Sequence, residues 1–257
     1  MNKRPATYVP PSGSKEATFI IVGEQPGMTE IRNGRPFCGP AGHELMDDLR
    51  LAGINAADCY FTNVIKDADE ILSNYIEFHP RRGPNVSEKG QSYINALAEE
   101  LDSHKGKVII ALGNVALFAI ADRTFFFFFF GSVLQPTLVG GKQLVPSIHP
   151  ATIIPPKNQY SNKRLLIYDL KRAKEVAEGK WQTIKRDILI RPTFKQCLDF
   201  LKTCELWGRL GHFIAYDIEV DIFNGEMTCI SFAYSPTDVI SIPFTCENGD
   251  YFTPPQE

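Results

Sequence analysis

The 257-residue chain lacks several features that would mark other classes of protein. It has no apolar run of the roughly 18 residues that a membrane-spanning helix needs, and its polar N-terminus has no apolar signal-peptide core. Its six cysteines include no Cys-x-x-Cys pair, which predicts free thiols in a reducing cytoplasm rather than disulfides. A basic excess is also missing, because the formal net charge is −3. Binding to nucleic acid would therefore depend on local basic patches.

Two basic stretches could supply such patches. One is the pair Arg81 and Arg82. The other is a cluster in a predicted helix, formed by Lys163, Arg164, Lys171, Arg172 and Lys174. A solvated helix face would have the same composition, so both interpretations stay open.

Strands and helices alternate in the first part of the chain. Apolar runs predict strands at 18–22, 59–63, 107–112 and 142–148. Amphipathic patterns predict helices at 41–52, 87–102, 114–121 and 161–178. Asn114 can cap the third of these helices, and Gly179 is suited to end the fourth. The alternation predicts an α/β fold: a three-layer α/β/α arrangement around a parallel four-stranded sheet.

A glycine-rich segment follows the first predicted strand. It contains Gly-Glu-Gln-Pro-Gly at 23–27 and Pro-Phe-Cys-Gly-Pro-Ala-Gly at 36–42. Its carboxylate, amide and aromatic side chains are Glu24, Gln25 and Phe37. Open α/β sheets build their sites at the carboxyl ends of strands. The alternative is a tight connection whose glycines serve turn geometry alone.

Two later segments place further polar side chains at strand ends. The second predicted strand runs into Thr-Asn-Val-Ile-Lys at 62–66, and the last ends in Pro-Ser-Ile-His-Pro-Ala at 146–151. Asn63 and His149 would therefore lie at the same edge of the sheet as Glu24 and Phe37.

Over about residues 18–178, these motifs resemble the uracil-DNA glycosylase superfamily. The most similar pattern is that of the bacterial and archaeal branch called family 4, with Gly-Glu-Ala-Pro-Gly, Pro-Phe-x-Gly-x-Ala-Gly, Thr-Asn-Val-x-Lys and His-Pro motifs. The resemblance implies an enzyme that flips uracil out of single- or double-stranded DNA and hydrolyses its N-glycosidic bond. It also implies a cytoplasmic protein, of a bacterium or a phage-infected host.

The resemblance implies roles for five residues. Glu24 and His149 would be catalytic: Glu24 by orienting water or stabilising positive charge on the sugar, His149 by donating a hydrogen bond to the departing uracil. Gln25, Phe37 and Asn63 would bind uracil, with Phe37 stacking and Asn63 reading the base edge. Each has a structural alternative, such as a core phenylalanine, a strand-end cap or a carboxylate bonded to loop amides.

Three further residues are candidates for DNA contact. Lys66 could meet a phosphate, although a solvated lysine fits equally well. Ser147 lies two residues before His149, the first residue of the His-Pro motif. Ile153, or its neighbour Ile154, could enter the gap left by the flipped base, or could pack under the following prolines.

The chain departs from family 4 in its cysteines. Family members bind a four-iron cluster through four cysteines, but here Asp67 stands where the family has a ligand cysteine, and no cysteine precedes Cys38. We therefore expect neither an iron–sulfur cluster nor any other cofactor for the glycosylase. Gln25 also resembles a subgroup that captures uracil sites covalently through a loop histidine. His79 lies in the right region, but the subgroup's surrounding sequence is absent.

A second pattern begins after residue 186. We expect a strand at 187–191, a helix at 193–205 and strands at 213–219, 227–235 and 239–244. Asp217 and Glu219 would share one face of a strand, as metal-binding carboxylates do. This resembles the start of the 3′–5′ exonuclease domain of family A DNA polymerases, a partial RNase H-like α/β domain. An acidic edge strand is the alternative.

The predicted domains follow from both resemblances. They are a tail at 1–17, a glycosylase-like domain at 18–179, a linker at 180–186 and a truncated exonuclease-like domain at 187–257. A complete exonuclease domain would need Mg²⁺ and acidic motifs beyond Glu257. The missing exonuclease and polymerase region of a phage-type DNA polymerase would then be the partner of this part. Two rival hypotheses are a non-catalytic uracil or template-DNA recognition module and a metal-dependent nuclease.

Six consecutive phenylalanines at 125–130 fit neither pattern. No strand or helix can bury all of these rings at once, and exposed rings favour aggregation.

Overall fold

The computed structural model describes residues 7–69, 71–79, 83–124, 126–182, 185–221, 225–246 and 249–252. Arg81, Arg82 and Phe125 lie outside these ranges, so the first predicted basic patch and the start of the phenylalanine run are not covered. The chain divides into two compact units, Met1–Trp181 and Gln182–Glu257. No helix among the described residues is both long and apolar enough to cross a bilayer.

The first unit alternates strands and helices. In chain order its elements are β1 (Phe19–Gly23), α1 (Met28–Asn33), α2 (Pro40–Ala52), β2 (Cys59–Asn63), β3 (Ile76–His79), β4 (Gly83–Val86), α3 (Glu88–Asp102), β5 (Val108–Leu112), α4 (Asn114–Ala121), β6 (Gln143–Ser147) and α5 (Asn162–Ala177). Strands β3 and β4 pair as an antiparallel hairpin apart from the main sheet.

The main sheet has the strand order β2-β1-β5-β6, and all three pairings are parallel. Every residue of β1, β2 and β5 is buried, as expected for a parallel sheet covered on both faces. The predicted α/β fold with a parallel four-stranded sheet is thus confirmed.

The side chains of the strands alternate between two apolar cores because successive residues point to opposite faces. Ile20, Val22 and Ile109 pack in the core that also contains residues of α3 and α4. Ile21 and Ile110 pack in the core that contains residues of α2 and α5. The sheet is therefore the middle of three layers.

The strand order reverses direction at β1. The chain passes from β1 to β2 on one side and later returns to β5 on the other. Open α/β sheets bind ligands at such a switch point, outside the carboxyl ends of the strands. This edge carries the predicted site residues, since Gly23 lies opposite Asn63 and Leu112 lies opposite Ser147.

The second unit is a smaller α/β structure. Its elements are β7 (Asp187–Ile190), α6 (Phe194–Arg209), β8 (Ala215–Val220), β9 (Met227–Ala233), β10 (Asp238–Pro243), β11 (Thr245–Cys246) and β12 (Gly249–Asp250). Four strands form a sheet in the order β7-β10-β9-β8, in which β8, β9 and β10 make an antiparallel meander. A small core contains Cys197 of α6 with Ile240 and Ile242 of β10.

The structure corrects local expectations and adds elements that the sequence did not predict. Helix α1 and the β3–β4 hairpin were not predicted. Asn114 is the first residue of α4, whose N-cap is Gly113, so Asn114 does not have the predicted capping position. Gly179 follows the end of α5 with a φ of +68°, as expected for a helix stop.

The phenylalanine run is divided between environments. Residues 126–129 form a 3-10 helix. Phe129 packs against the core under α3 and α4, and Phe130 packs against the core under α2 and α5. Phe128 is 81% exposed. As expected from their number, these rings are not all buried together.

Candidate functional site

A cavity of about 280 Å³ opens at the carboxyl edge of the main sheet. It lies just below the range of roughly 300–1,000 Å³ that holds drug-sized ligands, so it suits a small ligand. Four of the five residues predicted to catalyse or bind uracil line this cavity. They are Gln25, Phe37, Asn63 and His149.

Phe37 is held in the cavity wall by two glycines. Its backbone has a φ of +52°, a left-handed conformation that costs a residue other than glycine about 1–3 kcal/mol. An ideal Cβ on Gly42 would lie 2.0 Å from the carbonyl oxygen of Phe37, and one on Gly23 would lie 2.7 Å from its ring carbon Cζ. Both glycines are therefore required for the close approach that seats the aromatic ring.

Asn63 ends β2 opposite Gly23 and brings its amide to the same place. The Oδ1 atom of Asn63 would lie 2.4 Å from a Cβ on Gly23. The absence of that Cβ lets the Asn63 amide and the Phe37 ring border one space. An amide beside an aromatic ring offers a donor, an acceptor and a stacking surface to a planar base.

His149 is positioned by its own backbone neighbourhood. The Ala151 N–H donates to Nδ1 of His149 over 3.2 Å, so in the neutral ring the proton resides on Nε2. Burial lowers the pKa of His149, an effect to which Lys157 adds and which Glu24 and Glu30 oppose. The arrangement presents a neutral imidazole with a donating Nε2–H at neutral pH.

Glu24 lies between the histidine and the start of α4. Its Oε1 accepts a hydrogen bond of 3.4 Å from the Val115 N–H. A Cβ on Gly113 would lie 2.4 Å from the same oxygen and 3.4 Å from Cβ of His149. Glu24 therefore borders the site beside Gly113 but does not line the cavity. Its amide partner belongs to helix α4 and not, as the structural alternative had it, to the surrounding loop.

Glu30 is a cavity residue that the sequence reasoning missed. It lies on α1, and its Oε1 accepts a hydrogen bond of 2.7 Å from the Gly39 N–H. A Cβ on Gly27 or on Gly39 would come within 2.8 Å of its carboxylate. Glu30 therefore links the two glycine-rich motifs. In the sequence, its position between Gly27 and Gly39 is the only signal that could have indicated this role.

The three predicted DNA contacts are all buried. Lys66 is 6% exposed and pairs with Glu100. Ser147 donates a hydrogen bond of 2.7 Å to Asp169, and Ile153 is part of the apolar core. Ile154, by contrast, lines the cavity. Buried side chains offer a phosphate or a base little surface, so the burial of Lys66, Ser147 and Ile153 favours structural roles over the predicted DNA contacts.

The basic cluster on α5 is partly neutralised. Lys163 pairs with Glu44 and with Asp48, Arg172 pairs with Glu175, and Lys174 lies 4.0 Å from Glu178. Arg164 and Lys171 are exposed. Much of the predicted patch is therefore a surface of ion pairs.

The two cysteines of the first unit, Cys38 and Cys59, do not fit an iron–sulfur cluster. Cys38 precedes α2 at the carboxyl edge beside Phe37, whereas Cys59 begins β2 four residues before that edge, roughly 13 Å away at strand spacing. Burial raises the pKa of the Cys59 thiol to about 12, which disfavours the thiolate that a metal needs. Two separated thiols cannot supply the four ligands of a cluster.

Hydrogen bonds hold the segment around Asp67 instead. The Asp67 carboxylate accepts from the Tyr93 hydroxyl of α3 and, over 3.1 Å, from the Thr7 hydroxyl. Its backbone carbonyl accepts a hydrogen bond of 2.8 Å from Nε2 of Gln25. Asp67 thus links α3 and the segment before β1 to a side chain that lines the cavity.

The histidine and the carboxylates proposed for other chemistry lie elsewhere. His79 ends β3 in an exposed position and does not line the cavity. Asp217 and Glu219 lie on β8, an edge strand of the second unit whose residues are all exposed. Within the part of the chain that the structure describes, no group of three or more His, Cys, Asp or Glu residues could hold a metal ion.

The first unit is thus a three-layer α/β structure with a parallel sheet, and the cavity at its switch point is lined by an amide, an aromatic ring and an imidazole. Such a cavity is suited to a small planar ligand. The sequence model described as the uracil DNA glycosylase superfamily matches residues 10–171. The chain belongs to this superfamily.

The chain is also similar in sequence to individual proteins. The chain is 29% identical over 171 residues to the Type-4 uracil-DNA glycosylase of Thermotoga maritima, covering 63% of this chain and 79% of that protein. It is 30% identical over 160 residues to that of Archaeoglobus fulgidus, covering 60% and 75%. A DNA polymerase of Bacillus phage SP01 is 29% identical over 169 residues, covering 65% of this chain and 17% of the polymerase.

Proposed function

We propose that the first unit is a uracil-DNA glycosylase that binds uracil in the cavity at the carboxyl edge of the sheet. The observation that carries the proposal is the convergence of Phe37, Asn63 and His149 on one cavity of about 280 Å³. The kinship with Type-4 uracil-DNA glycosylases agrees with it.

Uracil in a duplex is out of reach of this cavity, so the nucleotide is flipped out of the base stack before it binds. Phe37 stacks on the base and Asn63 hydrogen-bonds its edge. A neutral His149 donates from Nε2 to the uracil oxygen on which negative charge develops as the glycosidic bond breaks. A neutral donor suits this role because it does not transfer a full proton to the leaving base.

Glu24 supplies negative charge behind the reacting centre. Its carboxylate lies next to His149 across Gly113 and is fixed by the Val115 amide. From there it stabilises positive charge on the sugar or orients the attacking water, which ends as the new hydroxyl of an abasic site. The mechanism uses side chains alone, since the cysteines do not fit a cluster.

Kinetics of Asn63→Ala test the base-reading role. We expect kcat/KM on a single-uracil oligonucleotide to fall about 100- to 1,000-fold, since a lost catalytic or orienting hydrogen bond costs about 2.7–4 kcal/mol. Asn55→Ala is the matched control, because Asn55 caps a 3-10 helix away from the cavity. Parental excision by Asn63→Ala would contradict the assignment. Tight uracil-selective binding by the parent without abasic product would favour the rival recognition module.

We further propose that the second unit corresponds to the start of a 3′–5′ exonuclease domain of a phage-type DNA polymerase. The meander β8-β9-β10 and the two carboxylates on β8 support this. The similarity of the chain to a phage DNA polymerase over 169 residues agrees with a glycosylase-like part joined to a polymerase. Two carboxylates are too few for a two-metal site, so Mg²⁺ should not cause this chain to shorten a single-stranded oligonucleotide. Mg²⁺-dependent shortening that Asp217→Ala or Glu219→Ala removes would favour the nuclease hypothesis instead.

A further inference from the structure

The buried cation next to Asn63 is not used by the mechanism above. Lys66 follows the end of β2 by three residues and is 6% exposed. Its ammonium donates a hydrogen bond of 3.1 Å to the backbone carbonyl of Asn63. The same ammonium lies 2.7 Å from Oε2 of Glu100 on α3. Lys66 therefore joins the end of β2 to a helix under the sheet.

The segment between the two residues is fixed on its other side. The Val64 N–H donates to the Gly23 carbonyl over 2.9 Å, and the Ile65 N–H donates to the Glu24 carbonyl over 3.0 Å. These bonds extend the parallel pairing of β1 and β2 past the sheet. On the other side, the Lys66 ammonium bonds the carbonyl of Asn63. The backbone that carries the Asn63 amide is therefore held by β1 and by Lys66.

A buried ion pair such as Lys66–Glu100 is not expected to add much to the stability of the fold. Removing two charges from water offsets most of their attraction, and apolar replacements are often neutral or stabilising. Placement of a functional group is a separate benefit, because a misplacement of about 1 Å in a site can cost about 100-fold in rate. The direct bond from the ammonium to the Asn63 carbonyl points to that benefit.

We propose that Lys66 is a positioning residue for Asn63, with the Glu100 carboxylate as its anchor on α3. The inference rests on the proposed uracil-binding role of Asn63. In this role Lys66 bonds groups inside the protein and does not contact a DNA phosphate. Any ligand that hydrogen-bonds the Asn63 amide depends on this pair, whether or not the ligand is later excised.

The test compares Lys66→Met with the double variant Lys66→Met/Glu100→Leu. The single variant leaves a buried carboxylate unpaired and should lower the melting temperature. The double variant removes both charges and should regain most of that stability. Its affinity for free uracil and its kcat/KM for a uracil oligonucleotide should nevertheless stay about tenfold below the parental values, because the hydrogen bond from the Lys66 ammonium to the Asn63 carbonyl is lost. Lys105→Met, which removes an exposed pair with Glu16, is the control and should behave as the parent.

The readouts separate this inference from the proposed function. A parent that neither binds free uracil nor releases it from DNA would overturn the function and, with it, this role. With an active parent, a double variant that regains both stability and uracil affinity would show that the pair is merely structural and would overturn the inference. If the double variant does not fold, Glu100→Gln decides, since it keeps the volume and an acceptor but loses the charge-assisted bond. A several-fold weaker uracil affinity supports the inference, and parental affinity overturns it.

Discussion

Gly42 and Phe37 are in such close contact that an ideal Cβ on Gly42 would lie 2.0 Å from the Phe37 carbonyl oxygen. No real Cβ tolerates that distance, so a larger residue at position 42 must displace the Phe37 backbone. Phe37 already has a left-handed φ of +52°, which leaves it few other conformations. The first turn of α2 thus determines where the proposed stacking ring lies.

Gly42→Ala should therefore inactivate the site through one added methyl group. We expect kcat/KM for uracil excision to fall about 100-fold, as for a displacement of about 1 Å in a catalytic site. Steady-state kinetics on a single-uracil oligonucleotide measure it. Gly140→Ala is the control, because a Cβ there meets open space. Equal activity of Gly42→Ala and Gly140→Ala would show that the position of Phe37 does not matter.

Asp67→Ala should lower stability, because Asp67 supports the cavity residue Gln25. It removes the acceptor shared by Thr7 and Tyr93 and weakens the support of Gln25. With about 1–3 kcal/mol lost for unpaired partners, the melting temperature should fall by several degrees. Differential scanning calorimetry, run with and without EDTA, measures this loss.

Asp47→Ala, which removes an exposed pair with Arg50, should change the melting temperature little. Because hydrogen bonds to Asp67, and not cysteine thiolates, hold this segment, EDTA should not lower the melting temperature of the parent. A parent destabilised by chelation, or an Asp67→Ala variant as stable as the parent, would contradict this account of the segment.

His149 should titrate below the ordinary histidine pKa of 6.5. Burial disfavours the imidazolium and lowers the pKa, while the charges of Glu24 and Glu30 oppose that shift and Lys157 reinforces it. Because the folded pKa is depressed, the neutral ring should persist as the pH falls through 6.5 and be lost only at lower pH. NMR titration of the ring nitrogens measures the midpoint, which Glu24→Gln should lower further by removing a favourable charge. A midpoint above 6.5 would contradict the proposed neutral donor.

Asp169 should make stability depend on pH in the opposite direction from a salt-bridged carboxylate. Burial raises its pKa to about 6 from an ordinary value of 3.8, despite hydrogen bonds from Ser147 and Gly131 and the nearby charge of Arg172. A raised folded pKa gives stability that is complete below 3.8 and is lost as the pH rises through about 6.

Asp169→Asn removes this titration. Relative to the variant, the free energy of unfolding of the parent should fall by on the order of 3 kcal/mol as the pH rises from below 3.8 to above 6. Urea denaturation across that interval measures the difference. A difference between parent and variant that does not change with pH would show that folding does not shift the pKa of Asp169.

The sequence predicted the layers of the fold because each buried strand is a short apolar run and each helix has an apolar face. The sequence also predicted that Phe37, Asn63 and His149 lie at one edge of the sheet, because the carboxyl ends of parallel strands lie at the same edge. Burial of individual polar residues was not predictable. Lys66 and Ser147 are short-range neighbours of site residues, yet their partners Glu100 and Asp169 come from helices distant in sequence.

Helix α1 and Glu30 were missed for a related reason. Six residues between glycine-rich motifs carry too little periodicity to indicate a helix, and an acidic residue there is unremarkable by composition. Glu30 can link the motifs because Gly27 and Gly39 have no side chains and leave room for its carboxylate. This space exists only after the two motifs have folded against each other. Tertiary contacts of this kind are absent from a local sequence pattern.

Glycosylase activity at this site can be measured on labelled single- and double-stranded oligonucleotides that carry one uracil. They are incubated with this chain in EDTA and then cleaved with alkali. We expect cleavage at the uracil by the parent and by His212→Ala, a control in the second unit, and loss of that cleavage in His149→Ala. Product that persists undiminished in His149→Ala would contradict the proposed site. No product from a parent that still binds uracil selectively would contradict glycosylase activity itself and leave a recognition module.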